Sequence, residues 1–268
     1  MNTNYHLEQG RVPLLISLPH DGTALPESLR PRLTAAALRV ADTDWHVGQL
    51  YAPAARALGA SLLRPEYSRY VVDLNRPADG APLYPGRRET GLCPLISFAE
   101  EPLYQNGGEP TPTEVAERVQ TFWRPYHQAL ADELARLRTQ FGRVLLWEGH
   151  SIRSVCPLFF EGRLTDFNFG TAGGRSAGAG LGERLAAIVA ADGRWSSVLN
   201  GRFQGGYITR QYGQPAEGVH AVQLELSQIC YMDEDSPYAW EATRAAAAQE
   251  LLESLLPGAL DWLQGEGN

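Results

Sequence analysis

Residues that could bind a metal ion follow two apolar segments of the sequence. His20 comes directly after VPLLISLP, and His150 comes directly after RVLLWEG. Two acidic residues, Asp42 and Asp44, stand between them in the segment ADTDWHV. Two histidines and one carboxylate are the usual protein ligands of a catalytic zinc ion, which keeps a further coordination position for water. Because neither histidine belongs to an HExxH motif, this set allows a zinc site but does not by itself require one.

The identity of the carboxylate ligand is open between Asp42 and Asp44. Both stand at the start of a segment with helical apolar spacing, and acidic groups are favoured at helix N-termini. We expect one of the two to cap that helix and the other to bind the metal. Asp44 is the first choice for the ligand, and Asp42 is the alternative.

Glu225 interrupts the apolar segment VHAVQLELSQ. A buried carboxylate is costly unless it is paired or functional, and burial raises its pKa. Such a group suits a general base that takes a proton from water and returns it to a leaving amine; the alternative is a buried salt bridge to an arginine. Glu148 shares a strand face with His150, so it either bonds a ligand histidine or lies on the surface.

All 23 basic residues of the chain are arginines, since the sequence contains no lysine. The guanidinium group binds a carboxylate through two parallel hydrogen bonds. Arg76, in the segment DLNRP, is the strongest candidate for binding a substrate carboxylate. A substrate with two carboxylates needs a second arginine, for which Arg210 in GGYITRQYG is the next choice.

Alternating strands and helices must position these groups. Short apolar segments bounded by turn residues predict strands at VPLLISL, ASLLR, RYVVDL, RVLLWEGHS and VHAVQLELSQ. Helical spacing occurs at residues 44–58, 113–140 with a kink near Pro125, about 180–192 and 238–264. This alternation predicts an α/β fold, in one domain over residues 1–268, with a central, largely parallel or mixed sheet flanked by helices. The polar residues that follow the strands should then meet at one rim of the sheet.

Length, charge and composition limit the class of function. The net charge of −8 argues against nucleic-acid binding, and no apolar run reaches the roughly 18 residues that span a bilayer. The N-terminal segment lacks the layout of a signal peptide, and three cysteines without a CxxC pair indicate reduced thiols. We therefore expect a cytoplasmic protein that acts on a small molecule with carboxylates, without nucleic-acid or membrane partners. The oligomeric state is not predicted.

The combined motifs resemble those of the N-formylglutamate amidohydrolases, also called N-formylglutamate deformylases, of bacterial histidine breakdown. The similar segments lie between about residue 12 and residue 232 and comprise SLPHDGTALP, ADTDWHVGQLY, YSRYVVDLNRP, LYPGRRETGLCP, GHSIRSVCP, FEGRLTDFNFGT, GRFQGGYITRQYG and GVHAVQLELSQICYM. The resemblance implies hydrolysis of N-formyl-L-glutamate to formate and L-glutamate. It also implies a fold related to zinc carboxypeptidases and aspartoacylases.

Those related enzymes hold zinc with a histidine, a glutamate three residues later and a distant histidine. By resemblance, His20 and His150 match the two histidines, and Glu225 matches the general base. Asn75 and Arg76 are similar to the pair that binds the substrate carboxylate. The resemblance therefore implies a role for each of these five residues.

One position departs from the family pattern. Thr23 stands three residues after His20, and a hydroxyl cannot replace a carboxylate ligand. The acidic ligand must come from elsewhere, which favours Asp44 with Asp42 as the alternative. We therefore predict a zinc ion bound by His20, Asp44 and His150.

The predicted mechanism uses the remaining polar residues around this zinc ion. Glu225 deprotonates the water that attacks the formyl carbon and then protonates the leaving amine. Arg69 or Asn75 stabilises the oxyanion together with the metal. Arg76 and Arg210 hold the two carboxylates of the substrate.

Three alternatives stay open at this point. The nearest is a related zinc amidase or carboxypeptidase that acts on another N-acyl amino acid or peptide. A more distant one is a non-catalytic protein that binds acidic metabolites. Cys93 and Cys156, each followed by proline, are the candidates for a thiol nucleophile. In the favoured mechanism the Gly- and Pro-rich loop at residues 77–94 closes over a small acyl pocket.

Overall fold

The computed structural model describes residues 4–83, 86 and 88–265 and contains one mixed β-sheet. Within these residues seven strands are found: β1 Tyr5–Glu8, β2 Leu14–Ser17, β3 Ser61–Pro65, β4 Val144–Ile152, β5 Phe167–Gly170, β6 Ser197–Leu199 and β7 Val219–Ser227. They pair in the order β1-β3-β2-β4-β7-β5-β6. The four strands β3, β2, β4 and β7 run parallel to one another. The strands β1 and β5 pair with β3 and β7 as antiparallel strands, and β6 runs parallel to β5. The predicted α/β class with a mixed sheet is confirmed.

Helices cover both faces of this sheet. The α-helices of the described residues are α1 Val47–Leu58, α2 Pro112–Arg118, α3 Arg124–Phe141, α4 Leu181–Asp192, α5 Tyr207–Tyr212 and α6 Ala242–Gly265. One apolar cluster joins α1, α4 and α6 to the sheet, and a second joins α3 to the opposite face. The strands β2, β4 and β7 are buried along their whole length, as is typical of parallel strands that are covered by helices on both faces. Of the helices in the described ranges, none has the length and apolar character to cross a membrane.

The segment RYVVDL, which we predicted as a strand, is a buried turn. The amide of Val71 donates to the carbonyl of Ser68 over 2.9 Å, and the amide of Asp73 donates to the carbonyl of Leu92 over 2.7 Å. Val71 packs into one apolar cluster and Val72 into another. The prediction was wrong because an apolar run indicates only that a segment is buried. This segment is buried between two apolar clusters without pairing with another strand.

The helix predicted from residue 44 begins at Val47, after His46 in the left-handed conformation with φ of 62°. Its first turn contains no acidic residue, so the expectation that Asp42 or Asp44 caps this helix is wrong. Asp21 takes that place, since its Oδ1 accepts a hydrogen bond of 2.8 Å from the amide of Gly48.

The long helix predicted at residues 113–140 is interrupted close to Pro125. A π-helical turn, Val119–Trp123, lies between α2 and α3. Proline has no backbone N–H to donate inside a helix, and π-turns are frequent near functional sites. The turn places Trp123 and His127 on the side of the helix that faces the irregular segment after β3.

Candidate metal centre and active-site cavity

His20, Asp44 and His150 meet at the carboxyl ends of two neighbouring parallel strands. His20 follows β2, His150 lies near the end of β4, and Asp44 lies in the turn before α1. One potential ligand atom of each side chain lies within 4.8 Å of the other two, and all three residues are buried. These three residues, which we call the metal cluster, offer two imidazole nitrogens and a carboxylate oxygen and could hold a metal ion.

A further carboxylate lies behind each histidine of the metal cluster. Nδ1 of His150 lies 3.0 Å from Oδ2 of Asp44, and Nδ1 of His20 lies 3.8 Å from the same atom. On the far side of the rings, Nε2 of His20 lies 2.7 Å from Asp73, and Nε2 of His150 lies 2.8 Å from Glu148. Carboxylates in this outer position orient a ligand histidine and increase its basicity. Glu148 is therefore buried against His150 and does not lie on the surface.

The buried carboxylates give the metal cluster a negative environment. Burial alone would lower the pKa of His150, but hydrogen bonds to Asp44 and Glu148 raise this pKa to about 10. His20 differs, because burial and the positive charge of Arg69 lower the pKa of its imidazole. The site as a whole therefore favours an added cation, either a metal ion or a proton on His150.

Asp73 was not predicted from the sequence as a site residue. It accepts hydrogen bonds from Nε2 of His20, from the amide of Asn75 over 2.9 Å and from Nη2 of Arg69 over 2.6 Å. Burial alone would raise the pKa of Asp73, yet the charges of Arg69 and His20 hold this pKa well below its usual value. The sequence contained a signal for Asp73, since this acidic residue lies inside the apolar segment RYVVDL. A carboxylate there is costly to bury unless it has partners.

Glu225 lies on β7 directly opposite His150 on β4. Its side chain is buried, and Nε2 of Gln223 donates to its Oε2 over 3.2 Å. Burial raises the pKa of Glu225 to about 8, and the negative charge of Asp44 adds to this effect while the charge of His150 opposes it. In the described part of the chain its side-chain hydrogen-bond partner is thus Gln223 and not an arginine.

Asn75 and Arg76 lie in a turn that is held by two aromatic residues of the neighbouring helix. Nε1 of Trp123 donates to the carbonyl of Arg76 over 2.9 Å, and Nε2 of His127 lies 2.8 Å from the carbonyl of Leu74. The two rings stack with their centroids 3.6 Å apart. Burial lowers the pKa of His127 to about 4, so the ring is neutral near pH 7. This aromatic clamp, Trp123 and His127, fixes the backbone on both sides of Asn75.

The side chains of Asn75 and Arg76 face the same region as the metal cluster. Nδ2 of Asn75 lies 3.0 Å from Nε2 of His150, and its Oδ1 accepts a hydrogen bond of 2.9 Å from the amide of Ile208. Nε of Arg76 donates to the carbonyl of Thr90 over 2.8 Å. Both residues line the same cavity as His20, His150 and Glu225.

The centre of a water-sized sphere can reach about 80 Å³ of this active-site cavity, which is room for several water molecules or a small polar group. Arginine and phenylalanine side chains contribute much of its lining: Arg69, Arg76, Arg88, Arg202, Phe98, Phe159 and Phe203. We call Arg76, Arg88 and Arg202 the arginine side of the cavity. Arg210 is not among the lining residues; from α5 it donates to the carbonyls of Gly205 and Leu83.

The loop predicted to close the acyl pocket, residues 77–94, contributes to the same lining. Leu83, Arg88 and Glu89 face the cavity. Tyr84, Pro85 and Arg87 of this loop lie outside the described residues.

Asp42 lies apart from the metal cluster. Its Oδ2 accepts a hydrogen bond of 2.9 Å from the amide of Phe98, and burial raises the pKa of its carboxyl to about 6. Of the two sequence candidates, Asp44 is therefore the one that the fold brings to His20 and His150.

The cysteines are poorly suited to act as nucleophiles. Burial raises the pKa of Cys156 to about 11 and also raises the pKa of Cys93. The thiolate is the nucleophilic form of cysteine, and a reactive cysteine has a lowered pKa. Neither thiol belongs to the residues that line the active-site cavity. These observations weigh against a thiol hydrolase.

The sequence is similar to those of known proteins along most of its length. A family model described as N-formylglutamate amidohydrolase matches residues 12–232. An N-formylglutamate deformylase of Pseudomonas aeruginosa is 51% identical over 255 residues, which cover 95% of each chain. A protein of the same name from Pseudomonas putida is 50% identical over 254 residues and covers 95% of this chain and 94% of its own length.

Two solved structures have a similar fold. The crystal structure of an N-formylglutamate amidohydrolase from Ralstonia eutropha superposes with a TM-score of 0.85 at 25% identity and covers 98% of this chain and 99% of its own. The crystal structure of a gene product from Agrobacterium tumefaciens has a TM-score of 0.70 at 19% identity and covers 96% of each chain. At that lower identity the second likeness concerns the fold alone.

Proposed function

The chain belongs to the N-formylglutamate amidohydrolase family, and from this membership we propose that it hydrolyses N-formyl-L-glutamate to formate and L-glutamate. The observation that carries the proposal is the position of Glu225, which is buried in the cavity directly opposite His150 of the metal cluster. Hydrolysis of an amide by water needs a base at such a place, beside a group that polarises the carbonyl.

We propose zinc as the metal, with His20, Asp44 and His150 as its ligands. Two imidazole nitrogens and one carboxylate are a common donor set of catalytic zinc sites. Asp73 and Glu148 supply the carboxylates that orient ligand histidines in such sites. When bound, zinc supplies a Lewis acid that polarises a carbonyl and makes water nucleophilic near neutral pH.

Glu225 moves the proton in the proposed reaction. It takes a proton from the attacking water while the water oxygen bonds to the formyl carbon. It then gives this proton to the amide nitrogen as the carbon–nitrogen bond breaks, which produces formic acid and the free amine. The remaining proton of the water passes from formic acid to the amine, so that formate and L-glutamate leave. Because burial brings the pKa of Glu225 to about 8, both its charged and its neutral form are accessible near neutral pH.

Two donors of the cavity are proposed to stabilise the negative charge that develops on the formyl oxygen. Arg69 is buried and fixed by its ion pair with Asp73, and Asn75 is fixed by the amide of Ile208. Donors whose positions are set before the reaction cost no reorganisation when the charge forms. Either residue meets this condition, and both line the cavity.

The carboxylates of the substrate are proposed to bind arginine. Arg76 lines the cavity next to Asn75 and is the candidate for one carboxylate. For the other carboxylate Arg210 stays the sequence-based candidate, and Arg202 of the arginine side competes with it. An arginine at each carboxylate restricts the enzyme to acidic N-formyl amino acids.

Release of formate from N-formyl-L-glutamate tests the proposal. Protein treated with a chelator should release no formate, and added zinc should restore the release. Faster hydrolysis of N-acetyl-L-glutamate than of the formyl compound would identify a related amidase instead. Binding of N-formyl-L-glutamate without hydrolysis by zinc-loaded protein would identify a non-catalytic binder and overturn the proposal.

A further inference from the structure

We infer that Arg202 binds the side-chain carboxylate of the substrate and thereby determines the preference for an acidic amino acid. The inference deepens the proposed function and rests on it. Glutamate differs from neutral amino acids of similar size by this one charge, so a group that recognises it must reach the cavity. Arg202 does so from the irregular segment that follows β6.

The guanidinium group of Arg202 is held in a defined orientation. Its Nε donates to the carbonyl of Phe159. Its Cζ lies 5.9 Å from the ring centroid of Phe159 and 5.4 Å from that of Phe203. Aromatic rings at this range attract a guanidinium and replace part of its hydration. Arg202 is therefore preorganised and half-buried, which strengthens a hydrogen-bonded ion pair with a carboxylate.

The rings of Phe98 and Phe159 lie between Arg202 and Arg69, which adjoins the metal cluster. Arg69, which is ion-paired with Asp73, has its Cζ 4.9 Å from the ring centroid of Phe98. The rings of Phe98 and Phe159 meet edge to face with centroids 4.9 Å apart, and Phe159 in turn contacts Arg202. Apolar ring surface of this kind suits the two methylene groups that separate the amide end of the substrate from its side-chain carboxylate.

The other arginines of the cavity differ from Arg202 in position and exposure. In the described ranges, Arg69 forms a buried ion pair with Asp73, and Arg76 adjoins Asn75 near the metal cluster. Arg88 has a side chain that is 60% exposed and forms an ion pair with Glu100. Arg202 thus combines a place in the lining with partial burial and aromatic neighbours.

Arg76 and Arg202 reach the cavity from two separate segments of the chain. Arg76 lies in the turn between β3 and α2, and Arg202 lies in the segment between β6 and α5. Two independently positioned arginines suit a substrate with two carboxylates.

The test compares N-formyl-L-glutamate with N-formyl-L-glutamine, which has the same size and a neutral side chain. In Arg202→Gln we expect kcat/KM for the glutamate compound to fall about 100-fold, because a hydrogen-bonded charge pair is lost. The loss should appear mainly in KM, since the contact is made equally before and during the reaction. For the glutamine compound kcat/KM should stay near the wild-type value.

Three further variants make the result decisive. Arg202→Lys keeps the charge and should recover part of the preference for the acidic substrate. Arg194→Gln, the loss of a surface arginine that is paired with Asp192 and does not line the cavity, should leave the preference unchanged. Equal losses on both substrates in Arg202→Gln would mean a structural role and would overturn the inference. So would an unchanged preference in Arg202→Gln, or a preference that collapses in Arg210→Gln instead.

The failure of this inference is distinguishable from the failure of the proposed function. Wild-type protein that hydrolyses N-formyl-L-glutamate while Arg202→Gln keeps its substrate preference contradicts the role of Arg202 alone. Zinc-loaded wild-type protein that releases no formate from any N-formyl amino acid contradicts both.

Discussion

The metal cluster is positioned by strand ends and buried carboxylates, whereas the arginine side of the same cavity is carried by irregular segments. His20 and His150 each have a carboxylate behind the ring, from Asp73 and Glu148. On the arginine side, Arg76 and Arg202 each donate from Nε to a backbone carbonyl. The first region is a closed network of charges, and the second presents charge from segments outside the helices and strands.

This difference predicts different consequences of substitution. Removing one member of a buried charge network leaves its partners without compensation, which is costly. Removing an arginine that is bonded to a carbonyl leaves a neutral acceptor behind, which costs less. Changes in the metal cluster should therefore abolish metal binding or turnover, while changes on the arginine side should alter KM and substrate preference.

The largest expected effect is loss of the metal in His20→Ala. The variant should contain little zinc after purification and release almost no formate, because one of three ligands is missing. Metal analysis and a formate assay measure both quantities. Full zinc content in His20→Ala would show that His20 is not a ligand. It would then contradict the description of the metal cluster as a network that depends on each of its members.

Glu225→Gln is the control for His20→Ala, because it changes a buried residue of the cavity that is not a proposed metal ligand. It should keep its zinc and lose about 10²- to 10⁴-fold in kcat, which is the contribution of a general base. Full activity of this variant would exclude Glu225 as the base.

A smaller effect is expected for Glu148→Gln. Oε1 of Glu148 lies 2.8 Å from Nε2 of His150, and its Oε2 accepts hydrogen bonds from the amide and the hydroxyl of Thr209. The amide side chain of glutamine keeps the size but loses the charge, so zinc affinity should weaken about 10- to 100-fold. Competition with a chromogenic chelator measures this affinity. An unchanged zinc affinity would show that the outer carboxylate does not support the ligand.

The smallest effect is expected for Trp123→Phe in the aromatic clamp. The substitution removes the N–H donated to the carbonyl of Arg76 but keeps a ring beside His127. The free energy of unfolding should fall by about 1 kcal/mol, and KM for N-formyl-L-glutamate should rise while kcat is retained. Denaturant titration and steady-state kinetics give the two values.

Trp262→Phe is the control for the clamp. It removes an indole hydrogen bond of 3.1 Å to the carbonyl of Ala179, and Trp262 does not line the cavity. It should lower stability to a similar extent without changing KM. Equal KM values in wild type and Trp123→Phe would show that the clamp serves stability alone.

Much of the fold follows from patterns that are local in sequence. The segments that become β2, β3, β4 and β7 are short, apolar and bounded by turn residues, so they are predictable as strands. The short strands β1 (YHLE), β5 (FNFG) and β6 (SVL) lack the continuous apolar run that makes the equally short β2 (LLIS) predictable. RYVVDL shows the limit of such patterns, because its side chains are buried in two different clusters without strand pairing.

Sequence patterns alone predicted the residue types of the candidate site and the sheet edge that they share. His20, His150 and Glu225 follow or interrupt apolar strand segments, and the carboxyl ends of parallel strands meet at one edge of a sheet. The carboxylates that contact the two histidines became clear only from the folded chain. It brought Asp44 rather than Asp42 to the histidines and placed Asp73 behind His20.

The folded chain also places Arg202, and not Arg210, in the lining of the cavity. The physical reason is that these choices depend on strand register and on turns closed by side-chain hydrogen bonds. The contact between Nε2 of His20 and Asp73 spans 53 residues, and the one between Nδ1 of His150 and Asp44 spans 106. Local propensity carries no information about contacts at such separations.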